Sequence, residues 1–315
     1  MKFRPYLILV AILCFCHSAA GDDETSFSPP PDATWQRVEP LKELGQDLAQ
    51  FDFTNQTCRI TCGVPPFAVL NQWGIAALPR ASLLAPTTYA NSVASVDILT
   101  WQPPQGTMLD GSFPGVFTRI QPNVGLGKTT GWALALQTLQ GGMGRLRLYS
   151  MNNEALSDQG QSLTIVLEQG HSYRLVLISH GNQHTGRLCD LATPHVIKAS
   201  VSAVSGFLAN ASGRCGFGVA MPHPLAIDVT FDNFLSWDGT PTPLTIRKGT
   251  MPETIELLCN TRRAMACTLQ TTVNFTDPST PWFTAYPDST TVVGDQLLRV
   301  FPLNANGEFF RHRSP

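Results

Sequence analysis

The sequence predicts an all-β fold, an antiparallel sandwich followed by a second, smaller β unit, on three observations. From Phe51 onward apolar residues recur with period two. The apolar runs are short and separated by Gly, Asn, Pro and Ser clusters, the spacing expected of an antiparallel sandwich. At "DGTPTPL", Asp238 to Leu244, charge, glycine and two prolines interrupt the pattern as a linker would, and a new set of apolar runs begins beyond it.

Taken in chain order, Lys2 and Arg4, the apolar run Tyr6 to Cys16 and the small residues Ser18-Ala19-Ala20 read as a secretory signal over residues 1–20. Leu13 and Phe15 precede Cys14 and Cys16, against the small residue that lipid attachment needs. No later run is long enough to span a bilayer, so the expected product is secreted, extracellular or periplasmic, with no membrane insertion after signal cleavage. Residues 21–50 form an acidic, proline-rich leader expected to stay flexible, with one short helix where Leu41, Leu44 and Leu48 recur. Residues 51–237 are the main β unit. "GRLRLYSM" alternates Leu146 and Leu148 against Arg145 and Arg147; "SLTIVLEQGHSYRLVLI" reads as two strands of one hairpin joined at Gln169-Gly170. "GWALALQTL", "HVIKASVSA" and "GFGVAM" behave alike. Residues 238–243 are the linker. Residues 244–315 form the small module, with strands "TIELLC", "ACTLQTTV", "WFTAY", "QLLRVFPL" and "EFFRHR".

Net charge is −2, charged residues make up 14% and no basic stripe is present, which argues against nucleic acid and anionic membrane as partners. Of eight cysteines, six lie beyond the signal: Cys58, Cys62, Cys189, Cys215, Cys259 and Cys267. An even number in an exported chain points to disulfides, and neighbouring pairs are expected: Cys58 with Cys62, Cys189 with Cys215, Cys259 with Cys267. The last pair would close a hairpin around "NTRRAMA". Zinc would want the two-residue spacing of a knuckle, which none of these pairs has.

With the strands in place, "PRASLLAP", "VDILTW", "GVFTRI", "GWALALQ", "YRLVLISHGNQHTGRL" and "GFGVAM" followed by "DVTFDNF" resemble, in order and spacing, a laminin-G-like domain of secreted bacterial proteins. That resemblance implies a concanavalin-A-like jelly roll. "IELLC", "CTLQTTVNF", Trp282, "VVGDQ" and "FFRHR" are similar to the small β module that ends such proteins, which implies a fibronectin-type-III or immunoglobulin-like fold. Cys259 stands where the module usually has Trp, and His312 where it has Leu.

"DVTFDNF", Asp228 to Phe234, is the densest polar motif. Period two turns Val229 and Phe231 to the core and Asp228, Thr230 and Asp232 outward. These two aspartates are the candidate calcium ligands, needing further oxygens from other loops. No acids sit at the alternating positions that glycoside hydrolysis uses. Glu253 and Glu256, three apart in a strand, face opposite sides. His180 and His184 flank the turn Gly181-Asn182 and are expected in solvent. "GLGKTT", Gly125 to Thr130, lacks phosphate-loop spacing and is expected as a turn. Asn55, Asn210 and Asn274 lie in glycosylation sequons. Trp132 alternates with Leu134 and Leu136 and belongs in the core, whereas Trp73, beside Asn71 and Gln72, is the candidate for stacking on a sugar. The expected function is non-enzymatic adhesion or glycan binding, the partner a glycan or extracellular protein and calcium the one candidate cofactor. A carbohydrate-active enzyme and a structural spacer are the rivals.

Overall fold

The computed structural model of the 315-residue chain describes residues 23–194, 196–239, 245–248, 254–260, 268–272, 283–284, 289–293, 296–302 and 309–313. It is an antiparallel all-β jelly-roll sandwich. In chain order its strands are β1 (Asp23–Thr25), β2 (Gln36–Val38), β3 (Ala49–Asp52), β4 (Cys58–Cys62), β5 (Arg80–Tyr89), β6 (Ser92–Thr100), β7 (Phe113–Ile120), β8 (Gly131–Leu139), β9 (Met143–Asn152), β10 (Ala155–Gln161), β11 (Ile165–Val166), β12 (Tyr173–His180), β13 (Gln183–Asp190), β14 (Ile197–Val204), β15 (Gly213–Ala220) and β16 (Ile227–Trp237). Sheet A runs β14-β13-β12-β6-β16-β4-β3, with β1 on β16; sheet B runs β10-β9-β8-β7-β15-β5-β2, with β11 on β9. Beyond the sandwich, β17 (Thr245–Lys248), β18 (Thr254–Asn260), β21 (Ser289–Val293) and β22 (Gln296–Pro302) form a four-stranded sheet, and β19 (Thr268–Thr272), β20 (Phe283–Thr284) and β23 (Phe309–Arg313) a three-stranded one.

Alternation explains the core. Ile60, Val96, Ile98, Leu175, Leu177, Val229 and Phe231 of sheet A meet Leu83, Val116, Leu134, Leu136, Leu146, Leu148 and Phe217 of sheet B in one buried cluster. Phe217 is its aromatic hub, with ring centroids 5.0 Å from Phe231, 5.4 Å from Phe234 and 5.6 Å from Phe27. Val229 and Phe231 point inward as period two requires. A register shift after Asp232, where Asn233 takes a left-handed φ of 49°, then turns Phe234 inward as well.

Several expectations are corrected. The first part of the leader is ordered: β1 pairs with β16, and Phe27, 1% exposed, lies between Phe53 and Phe217. Its order comes from tertiary pairing, which composition does not report. The short helix expected where Leu41 and Leu44 recur is present, as a 3-10 helix over Pro40–Leu44. A helix absent from the strand pattern, α1 (Phe67–Trp73), comes after Pro65-Pro66. The two runs around Gln169-Gly170 are not one hairpin, because β11 joins sheet B while β12 joins sheet A, so the link crosses between layers.

The cysteine pairing fails on geometry. Cys58, Cys62, Cys189 and Cys215 are free and buried. Cys58 and Cys62 lie four residues apart along one strand, about 13 Å at the usual rise, whereas a disulfide holds its Cα atoms about 4.4–6.8 Å apart. Cys215 points into the main core from sheet B and Cys189 into a separate apolar cluster of sheet A. Burial pushes the thiols of Cys58, Cys189 and Cys215 up to about 12 and that of Cys62 up to about 11, which leaves them inert. Cys267 lies outside the described residues, and its expected bond to Cys259 with it.

Candidate functional site

The structure keeps the two calcium candidates apart. Arg59 of β4, which pairs with Thr230 of β16, reaches diagonally along the ladder and grips Asp228 bidentately, Nε to Oδ1 at 2.7 Å and Nη2 to Oδ2 at 2.5 Å. That hydrogen bond holds the Asp228 carboxyl below its usual range. Asp232, four residues on, accepts from the backbone N–H and the Nδ2 of Asn233 instead. Trp73 ends α1 and is half-exposed, on the connection between β4 and β5. None of these three side chains meets another in a common cleft.

His184 overturns its expectation. His180 is exposed, but one strand later His184 is fully buried, its ring stacked on Trp132 with centroids 3.6 Å apart. Its Nδ1 lies 3.0 Å from Ser179 Oγ, which lies 2.8 Å from Thr118 Oγ1. Burial, then the Arg119 charge, pushes the imidazole down to about 3, so it is neutral at neutral pH. A serine beside a histidine suggests a nucleophile, yet both are at 0% exposure and no substrate reaches them.

One polar cluster escaped the sequence reading. Glu168, His171 and Asp190 bring three potential metal-binding groups together. Lys198 on β14 places its ammonium 2.8 Å from Glu168 Oε1 and 2.8 Å from Asp190 Oδ2, and His171 Nδ1 lies 2.7 Å from the same Asp190 oxygen. Burial alone would raise Asp190, but its hydrogen bonds to Lys198 and His171 hold it at about 2. The ammonium already provides the cation these oxygens require. On the outer face of sheet B the acids are likewise engaged: Asp110 accepts from Gln137 and Asp158 from Arg147, while Glu154 accepts from Arg80 and from the Gly127 backbone N–H. "GLGKTT" is the expected turn, its Leu126 N–H and Lys128 ammonium both bound to Glu43.

A cleft with room for a ligand lies at the edge of the sandwich, where β2 borders sheet B and β3 borders sheet A. Residues 31–37 cross this edge and, with Phe53, Leu83 and Arg214, line a cleft of about 670 Å³. Ligand pockets span about 300–1,000 Å³. Trp35 is fixed edge-on against Phe234, ring centroids 5.4 Å apart. The Arg37 guanidinium lies over Phe51 and Phe53, 5.2 and 5.7 Å from their centroids. Arg214 Nη1 donates to Gln36 Oε1 at 2.7 Å, which orients the guanidinium. Asp32 is the one acid in the lining; it turns its carboxylate back on Thr34, whose backbone N–H lies 2.8 Å and hydroxyl 2.5 Å from Oδ1. Among the described residues no carboxylate lies within ion-pair distance of Arg37 or Arg214. A chain-order signal existed: Trp35-Gln36-Arg37 carries two long polar side chains and an indole, and only tertiary pairing brings Phe53 and Arg214 to them.

No protein-family model matches the chain, and no curated protein matches it. Solved structures do share its layout. Among them are the CBM2 module of the evolved Dit of Lactobacillus casei BL23 phage J-1, at 13% identity and TM-score 0.38 over 68% of this chain and 94% of that one; a prokaryotic β-1,3-1,4-glucanase (lichenase) derived from a mouse hindgut metagenome, at 9% and 0.44 over 69% and 98%; and peanut lectin, at 8% and 0.41 over 69% and 97%. The likeness is one of backbone layout.

Proposed function

We propose that this is an exported, non-enzymatic β-sandwich protein that binds a glycan bearing acidic groups, in adhesion at or outside the cell surface, through the edge cleft. The observation behind the reading is the pairing of two aromatic side chains with two guanidiniums that have no carboxylate partner among the described residues. An aromatic face packs against the C–H surface of a sugar ring. A guanidinium fork matches a carboxylate or sulfate bidentately. The cleft therefore offers apolar contact and positive charge within one sugar-sized volume. The signal over residues 1–20, the laminin-G-like identity of residues 51–237 and an immunoglobulin- or fibronectin-like terminal module over residues 244–315 belong to the same reading. A catalytic alternative needs two accessible carboxyls facing one cleft, and Asp32, the one acid lining this cleft, is turned back on the Thr34 hydroxyl and backbone N–H.

The test is a glycan-array screen of the secreted chain, with and without calcium, alongside Arg214→Ala. Retention on sulfated or uronate-bearing glycans, unchanged by calcium and reduced at least tenfold in the variant, is the expected outcome. Release of reducing sugar from a bound polysaccharide would contradict the non-enzymatic reading, and equal retention of the variant would contradict the placement.

A further inference from the structure

We infer that the outer face of sheet A is the seat of this chain's own C-terminal β unit. In an antiparallel sandwich one face of each sheet enters the core and the other commonly meets water. Here one part of the outer face of sheet A, over β6, β12 and the end of β16, is dry, although the Arg59–Asp228 pair farther along the same face meets water. Trp237, Val93 and Ile178 form one cross-strand row, Leu235, Ser95 and Val176 the next, and Asp97, Arg174 and Cys189 the third. The six apolar members are at most 2% exposed and form a cluster separate from the main core. Asp97 and Arg174, with N–O distances of 2.6 and 2.9 Å, are nearly as buried. A patch with apolar side chains at its centre and charges admitted only as a satisfied pair has the anatomy of an interface core.

The other side of the contact shows the same excess. In the four-stranded C-terminal sheet, Glu256 and Val300 share one face and Leu257 and Phe301 are of the opposite parity. All four are buried, at 2%, 9%, 0% and 3%. A small unit with its own second sheet needs one covered face, so burial of both requires a further layer. Chain continuity selects the pair. Trp237, a member of the patch, ends β16, and residues 238–244 tether the C-terminal unit to it within a short reach, so docking proceeds at high effective concentration.

The four free cysteines supply the test, because Cys189 lies in the patch while Cys58, Cys62 and Cys215 lie in the sandwich core. The secreted chain, residues 21–315, is prepared with a protease site within residues 239–243, and maleimide labelling of each thiol is mapped by mass. The expected result is that all four resist labelling in the intact chain, at every protein concentration over a hundredfold range. After cleavage and removal of the terminal fragment, Cys189 labels at least tenfold faster while the three core thiols stay protected. Val176→Lys in the uncut chain produces the same selective exposure. Rapid labelling of Cys189 in the intact chain points to a cover by the cleaved signal; exposure on dilution points to a second copy. Continued protection once the fragment is gone points to another cover, and each of these three outcomes overturns the assignment.

Discussion

Two sets of arginines in this protein have opposite fates. Arg174 is buried and gripped by Asp97 from the neighbouring strand, whereas Arg37 and Arg214 stand at the edge cleft against aromatic rings and an amide. Burial would discharge Arg174, but the Asp97 hydrogen bonds outweigh it and its affinity for the proton rises. The difference is one of strand register: a carboxylate opposite Arg174 makes it part of the fold, whereas no carboxylate among the described residues engages Arg37 or Arg214, which is why the proposed ligand is placed there. Stability should therefore respond to the first set and binding to the second.

The largest stability effect is expected where the pairing is buried. Arg174→Ala strands Asp97 away from water without its partner and should cost about 3–5 kcal/mol in urea unfolding. Phe231→Ala, at 0% exposure in the core, should match it at about 3–5 kcal/mol through lost packing alone. The double change Asp97→Leu with Arg174→Met should recover most of the Arg174→Ala loss, since no charge is then left alone. A double variant as unstable as the single one would show that the loss is steric.

His184 sharpens the contrast from the other side, as a buried base that no carboxylate accompanies. Its folded value, about 3, lies below an unfolded value of about 6.5. Between these the unfolded state binds the extra proton, so the contribution is complete above about pH 6.5 and is lost as pH falls toward 3, with a slope approaching about 1.4 kcal/mol per pH unit. Unfolding curves of wild type and His184→Gln across pH 3.5–7.5 measure it. The wild-type slope should exceed the variant's, and equal slopes would place the titrating group elsewhere.

The smallest effect belongs to the exposed pair. Asp228→Asn breaks its grip by Arg59, yet with both side chains near half exposure the loss should stay within about 1 kcal/mol. Calcium should leave that value unchanged. A larger loss appearing only with calcium would make "DVTFDNF" a metal site.

Much of this was readable in the chain and much was not, for identifiable reasons. Alternation in "DVTFDNF" placed Val229 and Phe231 inside because side-chain parity is local. The partnership of Asp97 with Arg174 spans 77 residues and depends on β6 and β12 being neighbours, which no local pattern states. Lys198 meets Glu168 and Asp190 for the same kind of reason, through three successive strands of sheet A and the turn before them. His184 looked exposed because it sits just past a turn, but the first inward position of β13 lies over Trp132. The expected Cys58–Cys62 and Cys189–Cys215 bonds erred by counting cysteines without asking how far apart along a strand, or in which cluster, the members of each pair would lie. The edge cleft was invisible since residues 31–37 looked too polar to order, and their order is conferred by β5, Phe234 and Arg214.

The most direct measurement of the proposal that Arg37 and Arg214 are held for a ligand is calorimetric titration of residues 21–315 with a sulfated or uronate-bearing oligosaccharide. It is run at two salt concentrations for wild type and for Arg37→Ala with Arg214→Ala, and thermal unfolding is recorded on the same samples. The account predicts binding that weakens with salt and falls at least tenfold in the double variant, while unfolding changes by less than about 1 kcal/mol. Undiminished binding in the double variant, or a loss of binding that only accompanies a loss of fold, would contradict it.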